Sequence, residues 1–219
     1  LVTLCVYLGI AGDPETAHEV IQEAVRLDTG LPGVRAAEAQ VLHHLGRHKA
    51  AVEAYRQAIK LDVPGSDVNH VAATTFLGLA KILWYFLPND AIDEAEVIDL
   101  LERSIERDPG RFEAHQHLAR VLSNARREDL RDPEKALQLA RTALQAYSGN
   151  VDAYLLASLG MAQYRNGDFE DAIATVTKAL EAKGDAQAPL KLFIAMAHWQ
   201  LGNREESVAN LAESMEQEN

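Results

Sequence analysis

The sequence predicts an all-α fold, a right-handed superhelical solenoid of helix-turn-helix repeats with about six repeats and about twelve helices. Pairs of small residues seven positions apart recur six times, at steps of 34 to 46 residues along the chain. A repeat period near 34 is typical of stacked helix pairs. Alanine is abundant and aromatic residues make up only 6% of the chain, which favours closely packed helices over a β-sandwich.

The paired small residues indicate where the second helix of each repeat lies, because a residue and its seventh neighbour share one face of a helix. Small side chains on that face allow the helix to approach its partner closely. The first members of the pairs are Ala17, Ala51, Val97, Ala136, Ala172 and Ser207, of which Val97 is the one large exception, and the second members are Ala24, Ala58, Ser104, Ala143, Ala179 and Ser214. We expect a single domain over residues 1–219, with repeats at about 1–30, 31–64, 67–109, 110–149, 151–184 and 186–217.

The segment 32–63 shows the repeat pattern most clearly. Apolar residues recur at helical spacing, and Gly46 then ends the first helix as a residue that accepts positive φ. On the second helix, Tyr55 fills space beside the small residues. Similar glycine turns follow at 166–168 and 201–203.

This pattern resembles the tetratricopeptide repeat (TPR) family, which has Leu-Gly in the first helix, a glycine turn, then Ala, an aromatic residue, Ala and a closing Pro. The matching residues are Leu159, Gly160, Gly167, Phe169, Ala172 and Ala179 in the fifth repeat, Gly46, Ala51, Tyr55 and Ala58 in the second, and Asp108 and Pro109 in the third. The resemblance covers nearly all of the chain. The resemblance implies the fold and a protein-binding role, but it does not identify the ligand.

Two repeats are longer than the family pattern. The third has 12 extra residues, and its first helix is expected to continue through Trp84, Tyr85 and Phe86 until Pro88 stops it. The fourth has 5 extra residues, after which Asp132 is predicted to cap a new helix with Pro133 at its first position. The segment around Asp132 also resembles segments of bacterial TPR proteins.

The composition excludes several partner classes. Hydrophobic residues make up 47% and charged residues 25% of the chain, so it is not mainly disordered. With a formal net charge of −12 and no basic stripe, neither nucleic acid nor an anionic membrane surface is an expected partner. No apolar run is long enough to cross a membrane, so we expect no membrane insertion within this segment.

The N-terminal segment leaves the localisation open. Cys5 is the only cysteine, which fits a reducing compartment and favours the cytoplasm over the periplasm. We interpret the apolar segment 1–12 as the first helix of the first repeat, with the remnant of a signal peptide as the alternative. The chain does not begin with Met and enters its first repeat late, so we expect its true N-terminus to lie upstream.

No motif of an enzyme, a cofactor site or a metal site is present. His43, His44 and His48 straddle a turn, and we expect no metal site, with a site in this group as the alternative. The neighbouring pair His115 and His117 faces different sides of a helix. Glycines occur singly rather than in a phosphate-binding loop. We therefore expect no catalytic residue, cofactor or metal, with an enzyme of unrecognised chemistry as the alternative.

The resemblance implies that the first helices of the repeats line a concave groove that contacts a bound peptide. Binding of a chaperone tail is disfavoured, because Ala36 and Gln40 supply no cation at the family's carboxylate-binding positions. Tyr, Trp, Arg and Met are enriched at interfaces, although Tyr164 and Trp199 could instead fill space between helices. The groove residues implied are Gln40, His43, His44, Gln116, Arg120, Asn124, Tyr154, Met161, Tyr164, Arg165, Met196, Trp199 and Gln200.

Two further surfaces have alternative interpretations. The bulky run Trp84, Tyr85 and Phe86 cannot all face inward on one helix. It is either covered by the hairpin at 87–93, which we favour, or exposed as a second protein contact. The last helix is rich in Glu, and we interpret it as a polar capping helix.

These observations predict a protein–protein interaction scaffold or adaptor that is not an enzyme. It would bind a peptide segment or a partner helix in the concave groove. The alternative is a regulatory or assembly module of a longer chain that has an enzyme or a membrane anchor elsewhere. A homodimer through the Trp84 region or an end repeat is a further alternative.

Overall fold

The structure is a computed structural model that describes residues 13–27, 30–62, 69–88, 92–149, 152–182 and 187–216. Within these ranges it has eleven α-helices, one short 3₁₀ helix and no strand. The predicted first helix, in residues 1–12, lies outside the described residues, as does part of the hairpin at 87–93. The predicted all-α repeat fold is confirmed.

The chain divides into two compact units between Gly110 and Arg111. The helices of the first unit are α1 (Pro14–Leu27), α2 (Pro32–His44), α3 (His48–Leu61), α4 (Asn69–Tyr85) and α5 (Glu94–Arg107). Helix α2 packs against α3 and α4 packs against α5, while α1 precedes them and packs against α2.

The helices of the second unit are α6 (Phe112–Asn124), α7 (Pro133–Ala146), α8 (Ala153–Asn166), α9 (Phe169–Glu181), α10 (Gln187–Gln200) and α11 (Arg204–Glu216). They form three pairs, α6 with α7, α8 with α9 and α10 with α11. A 3₁₀ helix, Glu128–Leu130, lies between α6 and α7.

The paired small residues are all buried, as the helix register requires. Ala17, Ala51, Val97, Ser104, Ala136, Ala143 and Ala179 have no exposed surface. The other five members are 1–7% exposed. The hydroxyl of Ser104 donates a hydrogen bond to the carbonyl oxygen of Ala73 at 2.9 Å, so this polar member of the set is satisfied within the helix pair α4–α5.

Glycine allows a close approach at two places on the first helices. A Cβ atom at Gly160 would overlap the side chain of Val176 on α9, and one at Gly78 would overlap the ring of Tyr55 on α3. The missing side chain therefore sets the distance between neighbouring helices at both positions. Tyr55 is 3% exposed, so its ring fills the space that Gly78 leaves.

Local signals fix the ends of the helices. Gly46, Gly167 and Gly202 have φ values of 71°, 91° and 80°, which place the predicted turns in the left-handed region. The carboxylate of Asp132 accepts a hydrogen bond from the backbone N–H of Lys135 at 2.9 Å, which confirms the predicted cap ahead of Pro133.

The first prediction concerns the helix register. Replacing Ala172 with Trp should lower the free energy of unfolding by about 1–3 kcal/mol, because the buried position between α8 and α9 has no space for the larger ring. Ala172 is 2% exposed, whereas Ala174 on the same helix is exposed. Urea denaturation should therefore find Ala174→Trp within about 0.5 kcal/mol of the wild type. Wild-type stability of Ala172→Trp would contradict the register.

Candidate functional site

The first unit brings together two sets of residues that the sequence analysis treated separately. His43 lies at the end of α2, His48 begins α3, and Phe86 follows the end of α4. The ring centre of Phe86 is 4.7 Å from those of both His43 and His48. The Nδ1 atoms of the two histidines are 3.3 Å apart. The ring centre of His44 is 5.7 Å from that of His43, and Gln40 is half-buried one turn earlier.

The surroundings of His43 disfavour its charged form. Burial is the largest cause that lowers its pKa from the ordinary value of 6.5, followed by the nearby His48, His44 and Lys81. The imidazole of His43 is therefore held in its neutral form more strongly than that of a free histidine.

The bulky run in the third repeat is only partly covered. Its helix, α4, ends at Tyr85, one residue earlier than expected. Trp84 is half-buried, whereas Tyr85 and Phe86 are 38% and 46% exposed. The side chains of Tyr85 and Phe86 thus remain accessible on the surface of the first unit, and their role as a second protein contact stays a prediction.

In the second unit, three of the implied groove residues join the first helices of successive repeats. Gln116 is 8% exposed and donates a hydrogen bond from Nε2 to the hydroxyl of Ser158 at 3.3 Å. Ser158 in turn donates to the carbonyl oxygen of Tyr154. The Nδ2 atom of Asn124 lies 2.6 Å from the sulfur atom of Met161. These contacts hold α6 against α8.

The other implied residues on α6 and α8 differ in exposure. Arg120 is half-buried, and Tyr154 is 55% exposed. Arg165 is exposed, with its guanidinium carbon 5.9 Å from the ring centre of Tyr164. Tyr164 makes edge-to-face contacts with Phe169 and Phe193, so it partly serves to fill space between helices.

A pocket of about 280 Å³ lies between α8, α10 and α11, and we call it the Trp199 pocket. It brings together four of the implied groove residues, and its lining is mainly apolar. The residues that line it are Tyr164, Leu192, Ala195, Met196, Trp199, Gln200, Ser207 and Leu211. Trp199 is 53% exposed, so its ring forms an open wall of the pocket rather than a core contact.

Charged groups surround the Trp199 pocket. The guanidinium carbon of Arg204 lies 4.2 Å from the ring centre of Trp199, in a cation–π contact. Lys191 forms an ion pair with Glu213 at 2.7 Å. Glu205 and Glu206 are exposed in the first turn of α11. Lys191 is therefore neutralised by Glu213, whereas Arg204 keeps its positive charge in the cation–π contact and lies next to the exposed carboxylates of Glu205 and Glu206.

The terminal helix exposes apolar residues that the sequence analysis missed. Val208, Leu211 and Met215 are 62%, 43% and 61% exposed, although we interpreted α11 as a polar cap. Leu192 on α10 is 41% exposed beside them. The spacing of positions 208, 211 and 215 is that of one helix face, a signal that the many Glu residues obscured.

Neither a metal site of three or more ligands nor a membrane-spanning helix occurs in the part of the chain that the structure describes. No group of three or more His, Cys, Asp or Glu side chains converges there. The described helices include none that is both long and apolar enough to cross a bilayer.

Two sequence models of the family described as "Tetratricopeptide repeat" match residues 10–65 and 129–191, together more than half of the chain. The chain belongs to the tetratricopeptide repeat family. Repeats of this family are protein–protein interaction modules, so the chain is in general terms an interaction scaffold. A search of curated proteins gives no match.

Solved TPR structures have the same fold. YrrB, a TPR protein with an unusual peptide-binding site, is 17% identical, with coverage of 91% of this chain and 93% of that chain and a TM-score of 0.66. A chain of the APC/C hetero-tetramer Cut9–Hcn1 is 16% identical over 99% of this chain and 39% of its own length, with a TM-score of 0.72. A structure of MamA is 22% identical, with coverage of 90% of this chain and 97% of that chain and a TM-score of 0.60.

The second prediction separates structural residues from binding residues. Replacing Gln116 with Ala should lower the free energy of unfolding by about 1–3 kcal/mol, because it removes the buried hydrogen bond to Ser158 and leaves a cavity. Gln138 is exposed on α7, and Gln138→Ala is the matched control, expected within about 0.5 kcal/mol of the wild type. Chemical denaturation measures both. Equal stability of the two variants would contradict a structural role for Gln116.

Proposed function

We propose that the chain is a scaffold that binds a peptide segment or a partner helix at the Trp199 pocket, with no catalytic role of its own. The observation behind this proposal is the pocket itself, in which Tyr164, Met196, Trp199 and Gln200 meet. All four are residues that the family resemblance implies for a peptide groove. YrrB, whose fold this chain shares, is described as having a peptide-binding site.

The size of the pocket favours a side chain as its occupant. At about 280 Å³, the Trp199 pocket can hold one large apolar side chain, or two smaller ones, of a peptide that continues across the surface.

The chemistry of the lining suggests how a peptide would be held. An apolar side chain in the pocket would contact Leu192, Met196 and the ring of Trp199. The amide of Gln200, which lines the same pocket, has both donor and acceptor atoms for a peptide backbone. Apolar burial would thus supply affinity, and the amide would fix the direction of the backbone.

The surroundings of the pocket favour a partner with basic residues beside its apolar anchor. Glu205 and Glu206 are exposed on α11, and the chain has a net charge of −12. Complementary charges would mainly raise the rate of association, because exposed ion pairs contribute little affinity. The same charges oppose nucleic acid as a partner. The alternative of a module within a longer chain stays a prediction, as does a homodimer.

The third prediction tests the pocket with peptides selected from a random phage-displayed library on the wild-type chain. The selected peptides should contain a large apolar residue near basic residues. Replacing Trp199 with Ala should weaken their binding by at least roughly thirtyfold, about 2 kcal/mol, because the exposed ring is the open wall of the pocket. Fluorescence anisotropy of a labelled peptide measures the change.

Tyr85→Ala is the matched control, because Tyr85 is an exposed aromatic residue in the other unit. It should leave peptide affinity unchanged. Circular dichroism should find both Trp199→Ala and Tyr85→Ala folded. Tyr164→Ala is a less suitable variant for testing the pocket, because Tyr164 also packs on Phe169 and Phe193. Peptides that bind the wild type and Trp199→Ala equally well would place the binding site elsewhere.

A further inference from the structure

The turn between α2 and α3 brings two histidine side chains into contact. His43 lies in the last turn of α2, and His48 is the first residue of α3. The chain reverses between them at Gly46, whose φ of 71° suits a glycine. Both imidazoles are half-buried, and the two Nδ1 atoms approach to 3.3 Å.

The separation of the rings fits a shared ion. Two imidazole nitrogens at about 2.05 Å from one tetrahedral ion lie about 3.3 Å apart, with ring centres about 5.2 Å apart. A straight hydrogen bond with the same nitrogen separation would put the ring centres about 5.6 Å apart, and a bent one brings them closer, so these distances fit both arrangements. The observed values are 3.3 Å and 5.2 Å, with the ring planes tilted by 46°.

We propose that His43 and His48 chelate one divalent transition-metal ion through their Nδ1 atoms. Imidazole pairs suit Zn²⁺, Ni²⁺ and Cu²⁺ rather than Mg²⁺ or Ca²⁺, which prefer oxygen ligands. Because no third His, Cys, Asp or Glu among the described residues completes the group, water fills the remaining positions. This site lies in the first unit and is independent of the Trp199 pocket.

Phe86 is the positioning residue of this site. Its ring centre lies 4.7 Å from the ring centres of both histidines, edge-on to His43 and tilted by 33° to His48. A shared aromatic neighbour restricts the rotation of both imidazoles by packing against them. Lys81 is the nearby cation whose charge acts on His43, so it opposes the binding of a second positive charge.

The fourth prediction is tested with ZnSO₄ by isothermal titration calorimetry on the full chain, with NMR of the histidine ring carbons as a second readout. The wild type should bind one Zn²⁺, and the shifts of His43 and His48 should change together. His48→Ala should weaken binding by at least about tenfold, because one of the two ligands is lost. Phe86→Ala should also weaken it by about tenfold, while Phe86→Tyr keeps the wild-type affinity.

His70→Ala is the matched control, since His70 is an exposed histidine beside Asp108 in the same unit, and it should bind Zn²⁺ like the wild type. Lys81→Gln should tighten binding by roughly twofold to fivefold, because it removes the opposing charge. Co²⁺ absorption should report tetrahedral coordination. Equal zinc affinity of the wild type and His48→Ala, or unchanged His43 and His48 resonances in excess zinc, would overturn the site and leave the pair as a hydrogen bond only.

Discussion

The close contact between the two helices of each repeat is the constraint on which the rest of the structure depends. Ala136 and Ala143 on α7, like Ala172 and Ala179 on α9, are almost fully buried two turns apart on one face. Because these residues are small, the backbones approach until larger neighbours such as Val176 fill the remaining space. That face is therefore mainly used by the fold, although Ser207 of this set also lines the Trp199 pocket.

The contact of Phe86 with the two histidines lies where a repeat is longer than the family pattern. The longer helix α4 brings Phe86 to the turn between α2 and α3, where it contacts His43 and His48. The Trp199 pocket lies beside a regular helix pair, in which α11 buries its small residues Ser207 and Ser214 but exposes Val208 and its apolar neighbours. A longer repeat and a regular one thus both place accessible side chains on the surface.

Sequence reasoning succeeded where the physical cause is local. The turn glycines, the cap at Asp132 and the small-residue pairs each depend on neighbours within about two helical turns. The candidate site was harder to predict, because its contacts join residues far apart in sequence. Gln116 and Ser158 are 42 residues apart, and nothing in the pattern indicates that this pair is buried. A helical pattern gives the face on which a residue lies, but it does not give the neighbour that covers that face.

The contact between Arg204 and Trp199 decides what kind of partner the pocket can hold. Their cation–π contact contributes about 0.5–1 kcal/mol at an exposed site. Burial of the exposed half of Trp199 removes on the order of 100 Å² of apolar surface from water, worth about 2.5 kcal/mol. A partner can therefore displace Arg204 and still gain from covering the ring. Affinity at this site should follow the apolar anchor, and the charges around it should govern the rate and the orientation of association.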